Sequence, residues 1–109
     1  MEGKVYPLAQ LRQQLAEAND LYAEFLRIEP MSAGLYALPA NATDPQTPHN
    51  EDEMYYVIKG RASIDIAGTT HQIEPGSVIF VAKNVDHRFK NIEEDLEVLV
   101  LFAPAETEP

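Results

Sequence analysis

The sequence contains no cysteine, which excludes disulfide bonds, thiolate zinc sites and cysteine nucleophiles. Basic residues are also few, since 8 Lys and Arg stand against 18 Asp and Glu and the formal net charge is −10 at pH 7. Nucleic acids and anionic membrane surfaces are bound by clustered Lys and Arg, so we expect neither as a partner. Long apolar runs are missing as well. The longest, Val98 to Ala103, is far shorter than the roughly 20 residues that cross a bilayer.

The length of the chain and its first residues indicate its domain organisation and location. At 109 residues and 12.2 kDa the chain is expected to form a single domain, residues 1–109, with one modest core. The segment after Met1 carries no apolar stretch typical of a secretory signal, so we expect a cytoplasmic protein.

A short helix is predicted at about residues 7–18. Leu8, Leu11 and Leu15 recur at helical spacing, Pro7 suits a first helical position, and Asn19 offers a stop. We expect the apolar stripe to cover the protein's own core; the alternative is a helix that binds a partner.

The remainder of the chain has the pattern of short β-strands separated by Pro, Gly and acidic turns. About eight strands are expected, at residues 23–29, 31–38, 53–59, 61–67, 71–73, 78–82, 87–91 and 96–102. Such closely spaced short strands are typical of an all-β sandwich or barrel, here at about residues 22–103. A small barrel either fills its interior with side chains or holds one small ligand there.

Two segments carry residues that could bind a metal or take part in catalysis. The first runs His49-x3-Glu53-x6-Gly60, and alternation along a strand would place His49, Glu51, Glu53 and Tyr55 on one face. The second begins with the turn Pro75-Gly76 and later runs His87-x3-Asn91.

Together these segments, which span residues 44–91, resemble the two motifs of the cupin superfamily, in particular small single-domain cupins of the cupin 2 type. The resemblance implies an RmlC-like jelly roll, that is, a double-stranded β-helix preceded here by the short helix. Because cupins are often dimeric, it also implies a homodimer. It further implies a metal ion inside the barrel, held by His49, Glu53 and His87.

One position departs from the cupin pattern. Many cupins carry a second histidine two residues before the first-motif histidine, and this chain has Thr47 there, which is a poor ligand. Three ligands therefore remain, and a fourth would come from Gln46, from Glu51 or from water.

Two imidazoles and one carboxylate suit a divalent transition metal, and Fe, Mn, Ni, Co, Zn and Cu all stay open. One carboxylate against a divalent ion leaves a charge near +1, which would attract an anionic or chelating molecule. Both imidazoles must be neutral to ligate, so occupancy should fall below about pH 6.5.

Structural interpretations compete with these roles. His49 could lie in a surface loop and His87 could be a hydrogen-bonded core residue. Glu53 opens an apolar strand and needs a partner, which a metal, Arg88 or Arg27 could provide.

We expect structural or surface positions for the other polar residues. We expect His71 at the surface, Asn91 in a turn, Glu51 and Asp52 as solvated charges, and residues 93–95 as a solvated acidic turn.

Two functions are expected from the resemblance. One is a mononuclear-metal enzyme, dioxygenase- or isomerase-like, that acts on a small polar molecule, with Tyr55 or Glu51 as speculative acid or base. The other is a non-catalytic cupin that binds or senses a small ligand. A metal-free sugar-epimerase type is a third possibility, which the set His49, Glu53 and His87 argues against.

Overall fold

The computed structural model describes residues 2–107. One helix, α1 (Leu8–Ala18), precedes eight strands. The strands are β1 (Tyr22–Ile28), β2 (Met31–Leu38), β3 (Asp52–Lys59), β4 (Ala62–Ile66), β5 (Thr69–Ile73), β6 (Val78–Val81), β7 (His87–Lys90) and β8 (Leu96–Ala103).

The strands form two antiparallel sheets, ordered β1-β2-β8-β3-β6 and β5-β4-β7. Their inward-facing apolar side chains build one core that includes Tyr55, Val57, Ile64 and Phe89. The predicted all-β jelly-roll fold is therefore confirmed. No helix in residues 2–107 is long and apolar enough to cross a membrane.

The N-terminal helix covers the outer face of the larger sheet. Leu11 and Leu15 pack against Leu35 of β2, and the Arg12 guanidinium donates two-pronged hydrogen bonds to Glu97 of β8, the shortest 2.7 Å. The expectation of a helix that covers its own core is thus met. Pro7 is the N-cap and not the first helical residue, and Asn19 ends the helix in the left-handed conformation.

The turn between β4 and β5 is shorter than predicted, since β4 ends at Ile66 and β5 already begins at Thr69. The fifth strand begins at Thr69, because Ala67 and Gly68, both with positive φ, already complete the two-residue turn. The motif glycine Gly60 also has positive φ, at 97°. A Cβ there would come within 2.5 Å of the Asp95 carbonyl oxygen, so glycine is required where β3 ends.

Candidate metal centre

Strand β3 aims alternate side chains into the barrel. Glu53, Tyr55 and Val57 are each at most 2% exposed, whereas Met54 and Tyr56 lie on the outer face. The predicted alternation is confirmed for these residues. The strand does not extend back to His49, which lies three residues before Asp52 in the loop that follows β2.

Three potential ligands meet at one end of the barrel. His49 from the loop, Glu53 from β3 and His87 from the start of β7 each offer a donor atom, and these atoms lie within 4.8 Å of one another. Donors that share one ion through bonds of about 2.1 Å lie closer than this, so modest side-chain rotations would complete the site. The fold thus brings together the residues expected to ligate, from both sheets.

Glu53 has the environment of a metal ligand. Its Oε1 lies 3.0 Å from Nε2 of His87, yet neither carboxylate oxygen accepts a well-directed hydrogen bond within residues 2–107. A buried carboxylate without donors is strongly destabilised, and a divalent cation would relieve this. The residues present therefore fit a metal ion.

Neither arginine considered as an alternative partner serves Glu53. Arg27 pairs with Glu24 at 2.8 Å. Arg88 is exposed on β7, between the inward-facing His87 and Phe89.

Both histidines are held through Nδ1. The Nδ1 of His87 lies 2.9 Å from the Val85 carbonyl oxygen. When Nδ1–H donates a hydrogen bond to this carbonyl, Nε2 carries the lone pair that can bind a metal. The Nδ1 of His49 lies 3.2 Å from Oε2 of Glu106, and that hydrogen bond is the main cause of a raised pKa for His49. For His87, burial is the largest influence and lowers the pKa, but the nearby Glu53 carboxylate and Val85 carbonyl outweigh it, so the pKa is raised.

Tyr55 and Gln46 continue the polar cluster. The Tyr55 hydroxyl donates to Oε1 of Gln46 at 3.0 Å and lies 3.1 Å from Nε2 of His87. Burial and the charge of Glu53 raise the pKa of Tyr55 well above 10, so it stays protonated. Gln46 Oε1 is also 3.4 Å from Nε2 of His49, so Gln46 lies beside the ligands, and its role as a fourth ligand stays a prediction.

Glu51 takes a different place. Its side chain is buried, at 3% exposure, so the expectation of a solvated charge is wrong. One oxygen accepts hydrogen bonds from the backbone and hydroxyl of Thr107, at 3.2 and 2.7 Å. The carboxylate is outside the three-ligand group, and its suggested role as fourth ligand or as acid or base stays untested. Thr47 is exposed.

A buried carboxylate that the sequence analysis missed organises the ligand loop. Asp44 accepts hydrogen bonds from the Tyr36 hydroxyl at 2.6 Å, from the Phe89 backbone at 2.9 Å and from the Gln46 side chain at 2.8 Å. It lies in a proline-containing loop without periodicity, so no sequence pattern marked it.

A cavity of about 120 Å³ adjoins the ligands. Its lining comprises Tyr22, Tyr36, Gln46, His49, Glu53, Val100, Phe102 and Glu106. The buried Tyr22 hydroxyl has no hydrogen-bond partner among the described residues. A larger cleft of about 570 Å³ lies beside Arg12 and Glu97 but contains none of the clustered ligands, so the small cavity is the chemically relevant one.

The remaining minor expectations agree with the structure. His71 is exposed. Asn91 adopts a left-handed conformation after β7, and residues 93–95 are exposed, although Asp95 also accepts a hydrogen bond from the Ala40 backbone.

The chain is thus a two-sheet jelly roll with a cluster of two histidines and one glutamate at one end of its barrel. These features place it among small β-barrel proteins with an internal polar site. The Cupin domain family matches residues 34–103, and the chain belongs to this family.

The chain is also similar to an uncharacterized protein of Streptomyces coelicolor. The two are 46% identical over 104 residues, which make up 95% of this chain and 99% of the relative.

Similar solved structures extend the comparison at the level of the fold. The Schizosaccharomyces pombe Cnp3 cupin domain has 19% identity and a TM-score of 0.70, covering 76% of this chain and 63% of that one. The DMSP lyase DddQ of Ruegeria pomeroyi has 21% identity and a TM-score of 0.68, covering 81% of this chain and 49% of that one. This chain therefore spans less than two thirds of either. An RmlC-like cupin from Shewanella frigidimarina has 19% identity and a TM-score of 0.69, covering 77% and 75%. These neighbours differ in role, so the shared fold does not select an activity.

Proposed function

We propose that the protein is a mononuclear-metal cupin enzyme, dioxygenase- or isomerase-like, that acts on a small polar molecule. The observation that carries the proposal is Glu53, whose two buried oxygens lack hydrogen-bond partners within the described chain while two histidines stand beside it. His49, Glu53 and His87 would hold the ion, with Gln46 beside them. A bound divalent ion would supply Lewis acidity toward a ligand oxygen.

The size of the cavity limits the molecule that could bind. About 120 Å³ corresponds to roughly four water molecules of about 30 Å³ each. A ligand of a few non-hydrogen atoms fits this space without rearrangement. The Tyr22 hydroxyl, which has no hydrogen-bond partner between residues 2 and 107, is available to orient it by a hydrogen bond.

The charge of the site favours an uncharged ligand. The expected charge near +1 counted Glu53 alone, but Glu106 also lines the cavity. Two carboxylates against a divalent ion give a net charge near zero, so an anion gains little attraction. We therefore propose a small uncharged polar substrate, in place of the anionic or chelating molecule that the sequence suggested.

A second candidate function, non-catalytic binding of a small ligand, has its own support. The Tyr55 hydroxyl, whose pKa is raised, donates a hydrogen bond to Gln46, and Glu51 accepts a hydrogen bond from Thr107. These hydrogen bonds occupy both suggested acid–base groups, which supports binding without catalysis.

Elemental analysis of the protein purified without added metal tests the proposal. We expect about one equivalent of a transition metal in the wild type, loss of it in His49→Ala and His87→Ala, and retention in the control His71→Ala, whose histidine is exposed. Iron would direct the next assay to O₂ consumption, and zinc or manganese to isomerase activity. Absence of metal in the wild type after anaerobic iron(II) reconstitution would overturn the metal proposal and favour the ligand-binding barrel.

A further inference from the structure

The chain beyond β8 folds back across the metal cluster as a short strap, residues 104–107. Three contacts hold it in place. The Glu106 backbone N–H donates to Ser32 Oγ at 2.9 Å, the Glu106 carbonyl accepts from Arg27 at 2.7 Å, and Thr107 donates to the buried Glu51. The backbone of Glu106 is therefore fixed on both sides of its side chain.

The strap places the Glu106 carboxylate against His49. Oε2 of Glu106 lies 3.2 Å from Nδ1 of His49, and the two side chains are 18% and 10% exposed. Because this ring nitrogen is engaged, Nε2 is the one left to face a ligand. The contact repeats the arrangement at His87, whose Nδ1 meets the Val85 carbonyl.

We infer that Glu106 is a positioning residue for the metal centre, which accepts the Nδ1–H of His49 and so fixes the tautomer and ring orientation that present Nε2 to the ion. The inference rests on the proposed metal function. Carboxylates that accept the second N–H of a metal-bound histidine orient the ring and increase its basicity. Glu51 takes part in the same geometry, because its carboxylate accepts the Thr107 hydrogen bonds that hold the strap.

Metal titration of the purified, metal-free chain tests this inference. The Kd for Zn²⁺ is measured by competition with a chelating indicator for the wild type, Glu106→Ala, Glu106→Gln and the exposed control Glu93→Gln. We expect Glu106→Ala to bind Zn²⁺ about 10–100-fold more weakly. Glu106→Gln should recover much of the affinity, because its amide oxygen still accepts the N–H, and Glu93→Gln should match the wild type.

Two spectroscopic readouts separate positioning from direct ligation. Long-range ¹H–¹⁵N spectra of the Zn²⁺-loaded wild type should show His49 protonated at Nδ1, and this signature should weaken in Glu106→Ala. The visible absorption of Co²⁺ in Glu106→Gln should keep the wild-type intensity. A changed Co²⁺ spectrum together with equal losses in both Glu106 variants would mean that Glu106 is itself a ligand, which overturns the positioning role.

The outcomes also distinguish this inference from the proposed function. If the wild type binds Zn²⁺ and Glu106→Ala binds equally tightly, the role of Glu106 is wrong and the metal proposal stands. If the wild type fails to bind Zn²⁺ or Co²⁺, the metal proposal fails first and the positioning role falls with it. Circular dichroism of the metal-free variants checks that each one is folded.

Discussion

The hydroxyl of Tyr36 donates a 2.6 Å hydrogen bond to the buried carboxylate of Asp44. Tyr22 pairs with Tyr36 across β1 and β2, but its own buried hydroxyl has no partner in the described chain. The two tyrosines therefore form a matched pair, one with a satisfied hydroxyl and one without.

Removing each hydroxyl should have opposite effects on stability. Tyr36→Phe should lower the free energy of unfolding by about 1–3 kcal/mol, because a buried Asp44 oxygen loses its donor. Tyr22→Phe should leave it unchanged or raise it by up to about 1 kcal/mol, because an unsatisfied group is removed. Urea unfolding followed by circular dichroism measures both. A larger loss in Tyr22→Phe than in Tyr36→Phe would contradict the pairing.

Alkaline conditions should destabilise the protein through the same residues. Burial raises the pKa of Tyr22 and of Tyr36, with a further increase from Asp44 for Tyr36. A group with a raised folded-state pKa loses its contribution as pH rises above the unfolded value of about 10, because only the unfolded chain then releases the proton.

Between pH 9 and 11 the wild type should therefore lose more stability than Tyr36→Phe, by about 1.4 kcal/mol. Denaturant unfolding at the two pH values measures the difference. Identical pH profiles for the two proteins would show that Tyr36 ionises as easily in the folded state as in the unfolded one.

Metal-free protein should become more stable when Glu53 is replaced by Gln. The substitution keeps the shape and removes a buried charge whose oxygens accept no hydrogen bond within the described residues, so we expect a gain of about 1–3 kcal/mol at pH 8. Glu51→Gln is the control and should give a smaller gain, because one of its oxygens already accepts two hydrogen bonds and only the other lacks a partner within residues 2–107. Thermal unfolding in the presence of a chelator measures the stability of each metal-free variant. A lower stability of Glu53→Gln than of the wild type would refute this prediction.

A homodimer remains a prediction, and the structure suggests where it would form. Four of the exposed large hydrophobic side chains lie together on the outer face of β3 and β6: Met54, Tyr56, Val78 and Phe80. In a two-fold symmetric dimer the same face of each copy meets, so we expect this apolar sheet face to form the contact.

Light scattering should give twice 12.2 kDa for the wild type. Phe80→Lys should give the monomer mass, and the exposed control Val5→Lys should match the wild type. A wild-type mass of 12.2 kDa would count against the dimer.

The features that could be predicted depend on patterns within short stretches of the sequence. The strands alternate apolar and polar residues, the turns carry Gly and Pro, and the spacing of His49, Glu53 and His87 matched a known pair of motifs. Glu51 was misjudged because an acidic residue at a strand entrance is usually solvated, and its partner Thr107 lies 56 residues away.

The missed residues depend on contacts between distant segments. Asp44 reaches the Phe89 backbone across 45 residues, and Glu106 meets a histidine more than 50 residues before it in the sequence. Neither segment has a periodic pattern, so only the folded chain reveals these roles.

The hydrogen bond from Phe89 to Asp44 also bears on how a ligand would be received. It ties the loop that carries Gln46 and His49 to the smaller sheet, while Glu53 belongs to the larger one. Protein contacts alone therefore hold together the backbone segments that carry the candidate ligands. An incoming ion or molecule would meet a preorganised site and lose little conformational entropy of the protein on binding.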